Sequence, residues 1–173
     1  MALNCKVRRA EFEDAAAMLD VFQACDLHAA SHPHTHIALL DVMDWLESMT
    51  DTHPILIAEQ DQQILAWCSI EPFYGLPAFD QAAEISLYVL PDWQGIGVGK
   101  ALLESLLDAR AQIGFVHLVA YIYASNHNSL RFFAANGFEQ WGKLPNIARS
   151  PHGIEDVYLL GREFAPLSNN GLR

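Results

Sequence analysis

Residues Ala83 to Ile113 read AEISLYVLPDWQGIGVGKALLESLLDARAQI, and the rest of the chain is ordered around them. Glu84 to Val89 alternates polar and apolar positions, which places Ile85, Leu87 and Val89 on one face of a strand. Pro91 ends that strand, because proline has no N–H to give a sheet ladder. Gly95, Gly97 and Gly99 then alternate with Ile96 and Val98. From Val98 onward, Leu102, Leu106, Ala109 and Ile113 recur at helical spacing. The stretch therefore reads as strand, glycine-spaced loop and amphipathic helix. Backbone N–H groups gathered at the positive end of a helix suit an anion such as a diphosphate.

Two phosphate motifs fail on this loop. A P-loop requires glycine five residues before the Gly-Lys pair and Ser or Thr after it, and Gln94 and Ala101 occupy those positions. A dinucleotide fingerprint requires a third glycine where Lys100 stands. What remains is Gln94-x-x-Gly97-x-Gly99 directly after Val89-Leu90-Pro91.

The composition narrows the function. A chain of 173 residues with 51% apolar content is expected to form one domain, residues 1–164, followed by a short polar tail, 165–173. A formal charge of −11 argues against nucleic acid and anionic membrane surfaces, both of which select a surplus of Lys and Arg. No window approaches about eighteen uninterrupted apolar residues, and MALNCKVRRAEFEDA lacks the apolar core of a signal peptide. Cys5, Cys25 and Cys68 have neither metal-site nor CxxC spacing, so a cytoplasmic setting is expected. His28, His32, His34 and His36 cluster around Pro33, but their spacing matches no common zinc pattern. That run reads as a solvated, substrate-facing loop, and no metal is expected.

In chain order, Cys5 to Arg9 is a candidate strand, and Ala15 to Cys25 a helix with Asp14 as its N-cap and Met18, Leu19, Phe22 and Cys25 as its buried stripe. Ile37 to Met49 is a second helix with Leu40, Met43, Trp45 and Leu46 inward. Ile55–Glu59 and Ile64–Ile70 form a hairpin about a polar turn, and Glu71 to Gln81 is a loop with two prolines and a glycine. After the central helix, stopped by Gly114, come a strand from His117 to Ala124 and a short helix capped near Asn126 and left at Gly137. Two last strands span Glu139–Ile147 and Val157–Glu163. This order predicts an α/β (α+β) domain with a mixed sheet.

Gln94-x-x-Gly97-x-Gly99 resembles the acyl-CoA pyrophosphate loop of the Gcn5-related N-acetyltransferases (GNAT), and the element order is similar to theirs. Ala66 to Phe73 resembles the third strand of the phosphinothricin and methionine sulfoximine acetyltransferase branch, and Ala83 to Val89 its fourth. Asn126-x-x-Ser129 followed by Asn136-Gly137-Phe138 resembles its helix after the fifth strand, with Gly142 and Asp156 as its closing pair. The resemblance implies a mostly antiparallel mixed sheet with splayed fourth and fifth strands, acetyl-CoA as cosubstrate, and a homodimer. It implies transfer to a small primary amine, amino-acid-like or xenobiotic. Under it, Gln94, Gly95, Ile96, Gly97, Val98, Gly99 and Lys100 hold the pyrophosphate through backbone amides. Leu87, Tyr88 and Val89 pair with the pantetheine arm, while Asn126 and Ser129 face the thioester end or simply cap their helix.

Transfer to an amine needs a free lone pair, so a carboxylate with a raised pKa suits the role of general base. Glu84 shares a strand face with Ser86 and Tyr88 and stands at the branch's proposed base position; Glu71 is a second carboxylate in reach. Many family members place an acid tyrosine where this chain has Phe133, leaving Tyr123, Tyr88 or water for the departing thiol. Cys68 as an acyl carrier lacks a sequence-adjacent histidine, and buried strand cysteines are usually inert. The branch's amino-acid acetylators carry arginines after the third strand, whereas this chain has Tyr74-Gly75-Leu76-Pro77, with Arg131 and Arg149 as distant substitutes. Trp67, Phe73 and Tyr74 are the expected substrate-pocket residues, suited to a less anionic amine. Two alternatives stand beside this reading: acetylation of protein or peptide amines, and a non-catalytic acyl-CoA sensor.

Overall fold

The computed structural model describes residues 4–25, 37–150 and 153–167. The chain divides into two compact units, Met1–Ile70 with Ser86–Ile113, and Glu71–Ile85 with Gly114–Arg173. Seven strands hydrogen-bond in the order β1-β2-β3-β4-β5-β7-β6, and β3 (Gln63–Pro72) and β4 (Ala82–Val89) each run through both units. The His28–His36 run lies outside the described residues, as does the end of the tail beyond residue 167.

In the first unit β1 (Lys6–Arg9) pairs antiparallel with β2 (Ile55–Gln60), which pairs antiparallel with β3. The β2–β3 turn places Asp61 and Gln62 at φ of 52° and 66°, the two left-handed residues that a tight hairpin twist requires. Because side chains alternate across a strand, β2 and β3 feed two clusters. Ile57 and its partner Trp67 pack with Met18 and Val21 of α1 (Ala15–Cys25) and Val42 and Leu46 of α2 (Leu39–Ser48). Ala58, Ala66 and Cys68 pack instead with Val98 and Leu102 of α3 (Val98–Asp108).

In the second unit β4 pairs parallel with β5 (His117–Tyr123) through Ala82↔His117, Ala83↔Leu118 and Glu84↔Val119. The register stops at Glu84, three residues into an eight-residue strand, as expected of strands that part there. β5 pairs antiparallel with β7 (Gly153–Glu163), and β7 with β6 (Glu139–Ser150). Phe133 of α5 (His127–Ala135) is buried, edge-on to Phe132 and Phe138 at 5.3 and 4.9 Å between ring centres.

Several expectations are corrected. Asp14 is not a helix N-cap. It ends a 3-10 turn, Phe12–Asp14, and its carboxylate accepts the Glu11 N–H at 2.7 Å and two Arg8 N–H groups at 2.7 and 2.9 Å. Leu40 is 70% exposed, and Val42, one turn before Leu46 on the same helix face, takes the inward position against Met18, Val21 and Trp67. The central helix breaks at Ala109, and a separate turn, α4 (Arg110–Ile113), precedes Gly114. β6 and β7 are longer than predicted. The register shift between Leu144 and Ala148 accommodates Pro145, and Asn146, at φ of 54°, gives its N–H to Asp156 at 2.8 Å.

Candidate active site

The loop after β4 is built by local hydrogen bonds. Pro91–Trp93 forms a 3-10 turn, closed by Trp93 N–H to Leu90 C=O at 2.8 Å and Gln94 N–H to Pro91 C=O at 3.2 Å. The Gln94 amide Nε2 donates to Val89 C=O at 3.0 Å, so this side chain ties the loop to the strand that feeds it. Gly95 and Gly97 sit at φ of 75° and 103°, where a Cβ is disfavoured. Gly97 is the α3 N-cap, and the first helical bond runs from Ala101 N–H to Gly97 C=O at 2.9 Å. The N–H groups of Val98, Gly99 and Lys100 therefore precede the helix ladder and lie at its positive end. Ile96 is exposed beside them, and Lys100 reaches Glu104 at 3.6 Å. The donor set fits a pyrophosphate.

On β4, Val89 is buried and its carbonyl also accepts the Cys25 thiol at 2.9 Å; Leu87 is half-buried. Tyr88 lies 4.6 Å from Trp67 and 5.0 Å from Phe22, ring centre to ring centre. Trp67 is only 2% exposed, and its indole N–H is held by Met18 C=O at 3.0 Å. An indole with every edge packed and its single donor bonded is part of the core, so the place of Trp67 is there and not in an open pocket.

The carboxylates are in the second unit. Phe73 N–H donates to Ala82 C=O at 3.4 Å, and at the far end of the same ladder Leu90 N–H donates to Leu65 C=O at 2.9 Å. Both bonds and the Trp67–Tyr88 ring pair fit one register of β3 against β4. That register sets Glu71 directly across from Glu84, on the same sheet face. Glu84 is half-buried between buried Ala83 and Ile85. Burial raises its carboxyl above the usual range, and the Glu71 charge raises it further. On the other side, β5 pairs Val119 with Glu84 and presents Tyr121 two residues on. The Tyr121 phenol is pushed up by burial and by Glu84. Phe73 and Tyr74 pack on Phe79 at 5.9 and 5.3 Å, with Tyr74 75% exposed and held at φ of 73°.

Asn126 caps α5, its Oδ1 accepting the Ser129 N–H at 3.1 Å. Cys68 is fully buried, and burial pushes its thiol up to about 12. Arg131 is engaged by Asn128 at 2.6 Å, and Arg149 is exposed on β6. A separate cavity of about 610 Å³ in the first unit is walled by Arg8, Glu13, Asp14, Asp20 and Glu59 and includes none of the glycine-loop residues. Among the described residues no group of three or more His, Cys, Asp or Glu could hold a metal ion, and no helix is long and apolar enough to cross a membrane.

Tyr121 is absent from the sequence reading. Its signal was the alternation of His117, Tyr121 and Tyr123 against buried Leu118 and Ala120, but only the sheet shows that this face adjoins Glu84.

Residues 15–138 match the Acetyltransferase (GNAT) family. The chain is 33% identical over 161 residues to the Bacillus subtilis protein named "Putative phosphinothricin acetyltransferase YwnH", covering 92% of this chain and 99% of that one. It is 28% identical over 163 residues to the phosphinothricin N-acetyltransferase of Streptomyces viridochromogenes, covering 92% and 87%. A GNAT superfamily phosphinothricin acetyltransferase from Sinorhizobium meliloti, solved in complex with acetyl-CoA, superposes with a TM-score of 0.84 at 20% identity, covering 99% and 94%. The strand–loop–helix, the parallel β4–β5 step and these matches converge: the chain belongs to the GNAT family of acetyltransferases, which take their acyl group from acetyl-CoA.

Proposed function

We propose that this protein moves the acetyl group of acetyl-CoA to a small primary amine, amino-acid-like or xenobiotic, by direct transfer with Glu84 as general base. The observation that carries the proposal is the Glu84 carboxyl, half-buried on β4 and raised above its usual range by burial first and by Glu71 second. A base poised this way takes a proton from an ammonium near neutral pH more readily than a solvated glutamate does. The same strand runs through Leu87, Tyr88 and Val89 into the glycine loop.

When bound, acetyl-CoA supplies an acetyl group activated as a thioester. Backbone N–H groups of Gly95 through Lys100, at the start of an eleven-residue helix, hold its pyrophosphate. Gln94 supports that loop through its side-chain bond to Val89, since its own N–H closes the preceding turn. Leu87, Tyr88 and Val89 supply the strand edge for the pantetheine arm, and the family resemblance assigns the thioester end to Asn126 and Ser129, which in this chain form the α5 cap. Glu84 accepts the proton of the incoming ammonium and frees the nitrogen lone pair. Phe73 and Tyr74 receive the organic part of the acceptor.

The reading includes a cytoplasmic homodimer acting on small molecules and not on nucleic acid, supported by the net charge of −11 and the family resemblance. Thiol release from acetyl-CoA, followed with amino acids, polyamines and aryl amines, tests the activity. Release that depends on an added amine and is lost in Glu84→Gln supports it. Tight acetyl-CoA binding with no release across the panel would leave a sensor role instead.

A further inference from the structure

The register of β3 against β4 sets two carboxylates, Glu71 and Glu84, opposite each other on one face, with an exposed aromatic loop immediately after Glu71. Like charges in directly opposed positions weaken a sheet, so the pair is relieved when a cation occupies the space between them. The two strand segments that flank the pair supply no Lys or Arg. Residues Glu71–Ile85 contain Glu71, Asp80 and Glu84 and no Lys or Arg, and His117–Tyr123 of the neighbouring strand also contains none. The other titratable groups on that β5 face are His117, Tyr121 and Tyr123, and His117 faces Glu163 at 3.9 Å and the Trp141 ring at 6.2 Å.

We infer that Glu71 is a specificity-determining residue: with Glu84 it forms a two-carboxylate seat for the acceptor's ammonium that disfavours acceptors carrying a carboxylate beside the reacting nitrogen. The seat attracts the ammonium of a simple amine from two sides. A 2-amino acid brings the same ammonium with its own carboxylate one carbon away, and that group meets two like charges, with no guanidinium in Glu71–Ile85 or His117–Tyr123 to receive it. Phe73, Tyr74 and Phe79 supply an apolar wall next to the seat, which favours an aryl-alkyl amine. The inference rests on Glu84 being the base at this site. The Glu71 charge that helps to raise the Glu84 carboxyl is consistent with the two groups sharing one acceptor.

The test compares phenethylamine with phenylalanine, which differ by one carboxylate. For the wild type, kcat/KM is expected to favour phenethylamine by about tenfold or more. Glu71→Gln should cut that preference by more than about threefold, through a lower KM for phenylalanine, and move the acid limb of the pH profile to lower pH. Glu71→Arg should reverse the preference. Glu71 is an exposed strand residue, so both variants are expected to melt within a few degrees of the wild type. Wild-type preference for phenylalanine, or a ratio and acid limb unchanged in Glu71→Gln, would overturn the inference while leaving the acetyltransferase reading intact. Absence of thiol release with either amine in the wild type would overturn both.

Discussion

Replacing Glu84 with glutamine removes the proton acceptor while keeping the shape of the side chain. The size of the defect follows from the acceptor. A primary amine with a pKa near 10.4 is neutral in only about one molecule in a few thousand at pH 7. Without a base on β4 the reaction draws on that fraction alone, so kcat/KM should fall on the order of 10³-fold at pH 7, roughly 4 kcal/mol in barrier. The defect should shrink about tenfold for each pH unit up to 9, because the neutral fraction grows by that factor. The structure also predicts what happens to stability. The Glu84 carboxyl is higher in the folded chain than in the unfolded one, so the folded state holds more protons across that window and loses stability as pH rises through it. At neutral pH the glutamine variant should therefore be no less stable, with a gain below about 1 kcal/mol for a half-exposed group. Thiol release from pH 6 to 9, with thermal melts alongside, measures both. A variant with wild-type turnover at pH 7, or one whose defect is the same at pH 9, would refute Glu84 as the base. A variant that loses activity only because it melts early would refute the stability argument.

Three further outcomes are expected. Arg8→Ala removes two bonds to Asp14 and one to Glu59, and should cost about 1–3 kcal/mol at neutral pH because Asp14 then keeps only the Glu11 N–H and both partly buried carboxylates lose their cation. Arg8 holds the Asp14 carboxyl below its usual range, so that stabilisation is lost as pH falls through the lowered value, and the urea midpoints of wild type and variant should converge in acid. Gly97→Ala places a Cβ at φ of 103°, a strain of about 1–2 kcal/mol, and should weaken acetyl-CoA binding by about tenfold in calorimetry. Cys68→Ala should retain activity, and alkylation followed by mass spectrometry should label Cys68 only after denaturation, since the thiol is fully buried and pushed up to about 12.

The second carboxylate shows how function accumulates on a sheet face. Glu71 and Glu84 are thirteen residues apart in the chain, separated by the end of β3 and a loop that contains Pro77. Antiparallel pairing brings them opposite each other, and through that pairing the Glu71 charge helps to hold the Glu84 carboxyl above its usual range. The aromatic loop turns at Tyr74 and Gly75, both at positive φ, and leaves Tyr74 largely exposed while its ring and that of Phe73 pack on Phe79.

What the amino-acid sequence determined by itself was local. Proline, glycine and alternation mark where β4 ends, where the backbone must turn left-handed and where α3 begins, because those preferences belong to single residues and their immediate neighbours. They were enough to bring out the glycine loop, Glu84 and the family resemblance. The tertiary structure alone decided the rest. Trp67 belongs to the core because α1 and α2 close over it and Met18 takes its N–H. Asp14 serves Arg8 and Glu11 in place of a helix end. Tyr121 and Glu71 flank Glu84 because strand order and register place them there, and both depend on long-range pairings that no local pattern encodes.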